Sequence, residues 1–162
     1  MSSDKENMRQ AILEALKAYE EGEVPIGAVL IDEGGILVCS EHNRIEQFND
    51  STAHAEILTL QAAQKKLKRR RLKNCTLYVT VEPCPMCAGA LVLSRVERLV
   101  YGAVDSRFGA AESIFNVVNN PALNHQLKIT AGVLEEECRE LLQKFFMERR
   151  NLAKKKLGTG CA

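Results

Sequence analysis

The chain has no apolar run approaching the length needed to span a bilayer. Its N-terminal "MSSDKENMRQ" has neither the basic start nor the apolar stretch of a secretory signal. A membrane span and a cleaved leader are therefore not expected, and the sequence reads as that of a cytoplasmic protein. Internal repeats and linker-like stretches are also missing. Its 162 residues, 46% of them hydrophobic, are expected to form a single domain over residues 1–157, with a short disordered tail over 158–162. Disulfides are not expected either: in a reducing compartment the six cysteines cannot rely on oxidation, and closely spaced ones are better read as metal ligands or redox groups.

Net charge is close to absent, at +1, but its distribution is uneven. "KKLKRRRLK" (65–73) carries seven basic residues and "RRNLAKKK" (149–156) five, with no acid in either; those twelve removed from 22 leave ten against 21 acidic residues. Such runs are candidate footprints for a polyanion, with Arg149 and Arg150 as candidate contacts to an RNA backbone. The plainer reading is a solvated helix end and a tail.

What is present alternates between strand-like and helix-like patterns. "SDKENMRQAILEALKAYEEG" opens with a capping box (Ser3, Glu6), spaces Met8, Ile12, Ala15 and Tyr19 at helical intervals and stops at Gly22. "IGAVLID" and "ILVCSEHN" read as a hairpin across "EGG", and "TLYVTV", "RLVYGAV" and "KITAGVL" (128–134) as three further strands. Helices are expected to begin near residues 53 and 84. A closing helix runs from Glu135, with Cys138, Leu141, Leu142, Phe145 and Phe146 in an apolar stripe. The expected architecture is a three-layer α/β/α domain around a central five-stranded mixed sheet.

Chemistry concentrates in two stretches. In "PCPMC" (83–87), Cys84 and Cys87 are three apart at a strand-to-helix junction, on one face of a first turn where the helix dipole favours thiolate. A thioredoxin-like dithiol would look the same. "STAHAEILTL", thirty residues earlier, adds His54 and Glu56 at the opening of another helix, where Asp50, Ser51 or Thr52 could cap it. A histidine and two cysteines make three protein ligands, which leaves the fourth position of a zinc ion open, as in catalytic sites. Glu56 is then the natural base, although residues i and i+2 do not share a helix face. A dithiol oxidoreductase leaves His54 and Glu56 without a role, and a structural zinc module would need a fourth ligand that no spacing supplies.

"HAE" followed by "PCPMC" resembles the H-x-E…P-C-x-x-C signature of the zinc-dependent nucleobase deaminases. The resemblance extends through "EVPIGAVL", "HNR", "TAHAEI", "LYVTVEPCPMCAGAL", "YGAVDSRFGAA", "LNH", "GVLEEEC" and "FFMERR", covering about residues 8–150, and is to the bacterial tRNA adenosine deaminases that make inosine at the anticodon wobble position. It implies a cytidine deaminase-like fold and one zinc ion (Zn2+) per chain, held by His54, Cys84 and Cys87. It also implies proton transfer by Glu56 while water attacks C6 of a flipped-out adenine. Asn43 is then a base contact, Pro25 and Ile26 a pocket wall, the backbone beside Ala55 the seat of the base, and Asp105 a residue near the RNA strand. A tRNA anticodon arm as partner and a homodimer, with "CAGALVLS" as candidate interface, are implied as well.

Plain readings stand beside these: Asn43 in a turn, Asp105 capping a loop, Pro25 stopping the first helix. Cys39, Cys75, Cys138 and Cys161 read as small apolar or tail residues, and His42 and His125 as surface or loop histidines. Glu112, Met147 and Glu148 depart from the bacterial pattern in ways that bear on RNA contacts.

Overall fold

In the computed structural model, which describes residues 3–158, helix α1 (Asp4–Glu20) begins as its capping box predicts. The Glu6 N–H donates to Ser3 Oγ at 3.3 Å, and the Ser3 N–H donates back to Glu6 Oε2 at 2.6 Å. Gly22, two residues past the end of α1, has a φ of +78° that suits glycine. The Met8, Ala11, Ala15 and Ala18 side of α1 is fully buried on the sheet. A Cβ on Gly27 would lie 2.1 Å from the Ala11 carbonyl oxygen, so α1 rests on the strand backbone itself.

Strands β1 (Gly27–Ile31) and β2 (Leu37–His42) form the expected hairpin, with Asp32 Oδ1 accepting the N–H groups of Gly34 and Ile36 in its turn. A one-turn helix α2 (Ile45–Phe48), which no periodicity announces, precedes α3 (Ala55–Leu67). Then follow β3 (Thr76–Val81), α4 (Pro85–Leu93), β4 (Arg98–Ala103), β5 (Lys128–Thr130) and α5 (Glu135–Gly158). The sheet order is β2-β1-β3-β4-β5; β1 runs antiparallel to both neighbours, while β3, β4 and β5 are parallel. Every residue of β1 is buried because both of its faces are covered. One cluster packs Leu30, Leu77 and Leu99 against Leu60 of α3 and Leu91 of α4; the other packs Val29, Tyr78 and Val100 against Met8 and Cys138. The result is the three-layer α/β/α arrangement around a five-stranded mixed sheet.

Two boundaries differ from expectation. The fifth strand is only three residues long, because Gly132 (φ +77°) and Leu134 (φ +52°) turn the chain into α5. The last helix continues to Gly158, so Leu157 and Gly158 complete it; the remainder of the expected tail, with Cys161, lies outside the described residues. Packing explains why α5 holds to α1: the Phe145 ring meets Tyr19 edge-on at 5.8 Å, and the Tyr19 hydroxyl donates to Glu148.

Candidate active site

His54, Cys84 and Cys87 meet at the N-terminal ends of α3 and α4. His54 Nδ1 stands 3.6 Å from Cys84 Sγ and 3.5 Å from Cys87 Sγ. With metal–sulfur and metal–nitrogen bonds near 2.3 and 2.0 Å, tetrahedral zinc would hold nitrogen and sulfur about 3.5 Å apart, so the spacing fits the ion. Among the described residues no fourth histidine, cysteine or carboxylate joins the three. Local geometry explains how they converge. His54 and Cys84 are the N-cap residues of their helices, both with extended backbone, so neither side chain is bound by the facing rule for residues inside a helix. Pro85 occupies the first helical position, where a missing N–H costs nothing. Cys87, one turn on, is buried.

Glu56 lies in the first turn of α3, only 4% exposed, and its Oε2 has no hydrogen-bond partner. Burial pushes its pKa up to about 7. The Cys84 thiol is lowered to about 4, first by the Cys87 thiol and then by His54, while His54 is raised by its contact with the Cys84 sulfur. Cys87 is raised by the same neighbour and by burial. Two thiols, an imidazole and a buried carboxylate with an unfilled acceptor form a donor set suited to a divalent cation of the zinc type beside a proton carrier.

A MafB19-like deaminase family profile matches residues 2–150. The tRNA-specific adenosine deaminase of Bacillus subtilis is 51% identical over 154 residues, covering 95% of each chain. The chain belongs to the tRNA-specific adenosine deaminases. A solved tRNA:A34 deaminase, studied for A-to-I editing at the wobble position of transfer RNA, superposes with a TM-score of 0.81 at 42% identity and covers 85% of this chain and 99% of its own. A guanine deaminase from Nitrosomonas europaea superposes at 0.78 with 26% identity, covering 90% and 85%. The cytidine deaminase-like fold is thus shared by deaminases of different substrates.

Around the deaminase centre, Asn43 is buried, and its Oδ1 accepts the Ala55 N–H at 2.8 Å, capping α3 from outside. Asp50 turns instead to Thr52, whose N–H and hydroxyl it accepts. Ile26, whose carbonyl accepts the Asn43 N–H, lines a cavity of about 580 Å3 together with Val24, Val81, Asp105, Phe108 and Arg150. Pro25 is buried but does not line it; its neighbour Val24 does. Asp105 also caps its own loop, accepting the N–H groups of Arg107 and Phe108 at 2.9 and 3.1 Å. The two arginines diverge: Arg150 reaches the cavity, whereas Arg149 donates to the Gly22 carbonyl and lies over the Phe145 ring, tying α5 to the end of α1.

Glu82 carries no sequence signal of its role. Two residues before Cys84 and 2% exposed, it accepts N–H groups from Asp105, Ala111, Glu112 and Ser113 at 2.9–3.1 Å, and the Ser113 hydroxyl as well. Burial alone would raise its pKa, yet the Ser113 hydroxyl and these N–H groups hold it below the usual carboxylate range. A Cβ on Gly109 would come within 2.3 Å of Glu82 Oε2, so only glycine lets the loop close on the carboxylate. Glu112 takes the Tyr101 hydroxyl at 2.9 Å, which accounts for an acid at that position.

The other two histidines are not ligands. His42, contrary to the surface expectation, is buried between Glu14 Oε2 (2.8 Å) and Glu21 Oε2 (2.9 Å); His125 Nε2 faces the Val96 carbonyl at 2.7 Å. Both join elements of the fold.

Proposed function

We propose that the protein hydrolyses adenosine to inosine at the wobble position of a tRNA anticodon, with one zinc ion per chain held by His54, Cys84 and Cys87. The observation that carries this reading is the buried, unpartnered Glu56 oxygen beside three donors spaced for a tetrahedral metal. Family membership supplies the substrate class. When bound, zinc acidifies a water and so makes a nucleophile available at neutral pH.

The chain's own groups do the rest. Burial raises the Glu56 carboxyl from its ordinary range toward neutrality, which suits a group that both takes and gives a proton. Glu56 therefore accepts the proton released as water attacks C6 of the adenine, passes it to N1, and carries a second proton to the departing amine. Water and adenosine give inosine and ammonia. Asn43, with Oδ1 committed to the Ala55 N–H, fixes the start of α3 and leaves its amide N–H2 for the base; the backbone beside Ala55 and the Ile26 side chain form the wall against which the base lies. The target adenine leaves its stack to reach them. Asp105, Phe108 and Arg150 border the path of the flanking strand, with Arg150 placed for phosphate.

Two further parts of the proposal concern assembly and place. The first turn of α4 presents Met86 (37% exposed), which supports a homodimer formed across the start of that helix. Among the described residues no helix is long and apolar enough to cross a membrane, and the five described cysteines are free. We place the enzyme in the cytoplasm with its tRNA.

The test is product analysis. Purified protein incubated with tRNA anticodon stem-loops is expected to yield inosine, and with free guanine, cytosine or adenine no product. Turnover of a free base with none on RNA overturns the substrate. Metal analysis is expected to find one zinc per chain, lost in Cys87→Ala; light scattering is expected to report a dimer, and a monomer at working concentrations overturns the assembly.

A further inference from the structure

The helices that bring the metal donors together at one end bring arginines together at the other. Helix α3 starts beside His54 and is 13 residues long, so its far end lies about 20 Å away at 1.5 Å per residue. There it meets the end of α4. Gln64 Nε2 donates to Ser94 Oγ at 3.2 Å and to the Arg70 carbonyl at 2.9 Å, and the Leu72 N–H donates to the Ser94 carbonyl at 2.7 Å. These bonds surround a cleft of about 300 Å3 lined by Gln64, Arg70, Arg71, Leu93, Ser94 and Arg95.

The basic run is therefore held in place. Lys68 closes α3 in the left-handed conformation (φ +51°), the Arg69 N–H donates to the Gln64 carbonyl, and Leu72 is fully buried between exposed Arg71 and Lys73. Arg95 has a φ of +59°, which an L side chain rarely adopts, and its guanidinium is oriented by Asn124 Oδ1 at 2.7 Å. Lys66 and Arg69 donate to backbone carbonyls. Among the described residues, no carboxylate lies within ion-pair distance of Arg70, Arg71 or Arg95. Unneutralised cations on a fixed backbone around a concave surface favour an anion, since little conformational entropy is lost when it binds.

We propose that Arg70, Arg71 and Arg95 form a second RNA-contact surface, which binds backbone phosphates of the tRNA away from the reacting nucleotide. It rests on the reading of tRNA as substrate. The separation of about 20 Å within one chain corresponds to about six stacked nucleotides at 3.4 Å each. Contact there is to the helical arm and carries no base readout. The competing explanation is that the arginines only complement the negative ends of α3 and α4.

Arg70→Gln/Arg71→Gln/Arg95→Gln and the charge-preserving Arg70→Lys/Arg71→Lys/Arg95→Lys separate the two. Each is compared with wild type for tRNA affinity across a salt series and for thermal melting. The Gln variant is expected to bind tRNA more weakly, with a slope of log affinity against log salt shallower by about 2 to 3, from three phosphates at roughly 0.7–0.9 each. The Lys variant is expected to keep the slope. A wild-type slope in the Gln variant overturns the proposal, with or without a lowered melting temperature. Wild-type protein that binds no tRNA would instead bring down the substrate reading on which this one rests.

Discussion

Glu56 and Glu82 are buried to nearly the same degree, 4% and 2% exposed, and their environments push them in opposite directions. Glu56 has an oxygen with no partner and a pKa raised to about 7; Glu82 is wrapped by four N–H groups and a hydroxyl and held below the ordinary value. Burial raises both carboxyls, and at Glu82 the surrounding donors outweigh it. A carboxylate whose acceptor sites are all filled is locked as an anion and holds structure. One left short of donors can exchange its proton, and that is what the chemistry needs.

The largest test removes the exchangeable proton. Glu56→Gln is expected to keep metal and RNA binding while lowering turnover by roughly 10²- to 10⁴-fold, read by single-turnover inosine formation; a near-normal rate would break the contrast. The matching change, Glu82→Gln, puts an N–H2 among N–H donors. It is expected to cost roughly 2–3 kcal/mol of stability by denaturant unfolding and to raise KM for RNA more than it lowers kcat, because the loop bearing Asp105 and Phe108 loosens. Gly109→Ala forces the same loop off the carboxylate without altering it, with an expected loss of roughly 1–3 kcal/mol by the same measurement.

The smallest effect is in pH. A folded pKa below the ordinary 4.5 makes the Glu82 contribution complete above 4.5 and lost as pH falls from there through the lower, folded value. Wild type is therefore expected to lose stability below about pH 5 more steeply than Glu82→Gln, and identical slopes in urea melts would remove the electrostatic part of the argument.

Much of the centre was legible because its signals are local. His54, Glu56, Cys84 and Cys87 follow from ligand type and spacing within two short motifs, and the capping box and alternating strands located α1 and the sheet. Glu82 was not legible, although it adjoins "PCPMC", because its partners lie 23 to 31 residues further along and are mostly backbone N–H groups, which any sequence supplies. Asn43 came from the family resemblance, but its bond to the Ala55 N–H was not legible, because the partner is backbone. His42 looked like a surface histidine because nothing near it in sequence shows that Glu14 and Glu21 will flank it; α1 must first dock. The extra strand length after Thr130 was overread because an apolar pattern outweighed Gly132.

The three candidate metal donors lie on either side of β3 in the chain, and β3 is the strand at which the sheet changes from antiparallel to parallel pairing. The β1–β2 hairpin can close in microseconds from neighbouring residues, yet no donor has met another at that moment. His54 encounters the thiols only after β3 has paired with β1 and the chain has turned back through α4 toward α3, an event of high sequence separation and correspondingly slow. Metal uptake in a refolding experiment is therefore expected to report the pairing of β3 with β1 and the docking of α4 beside α3, with an onset that trails the hairpin.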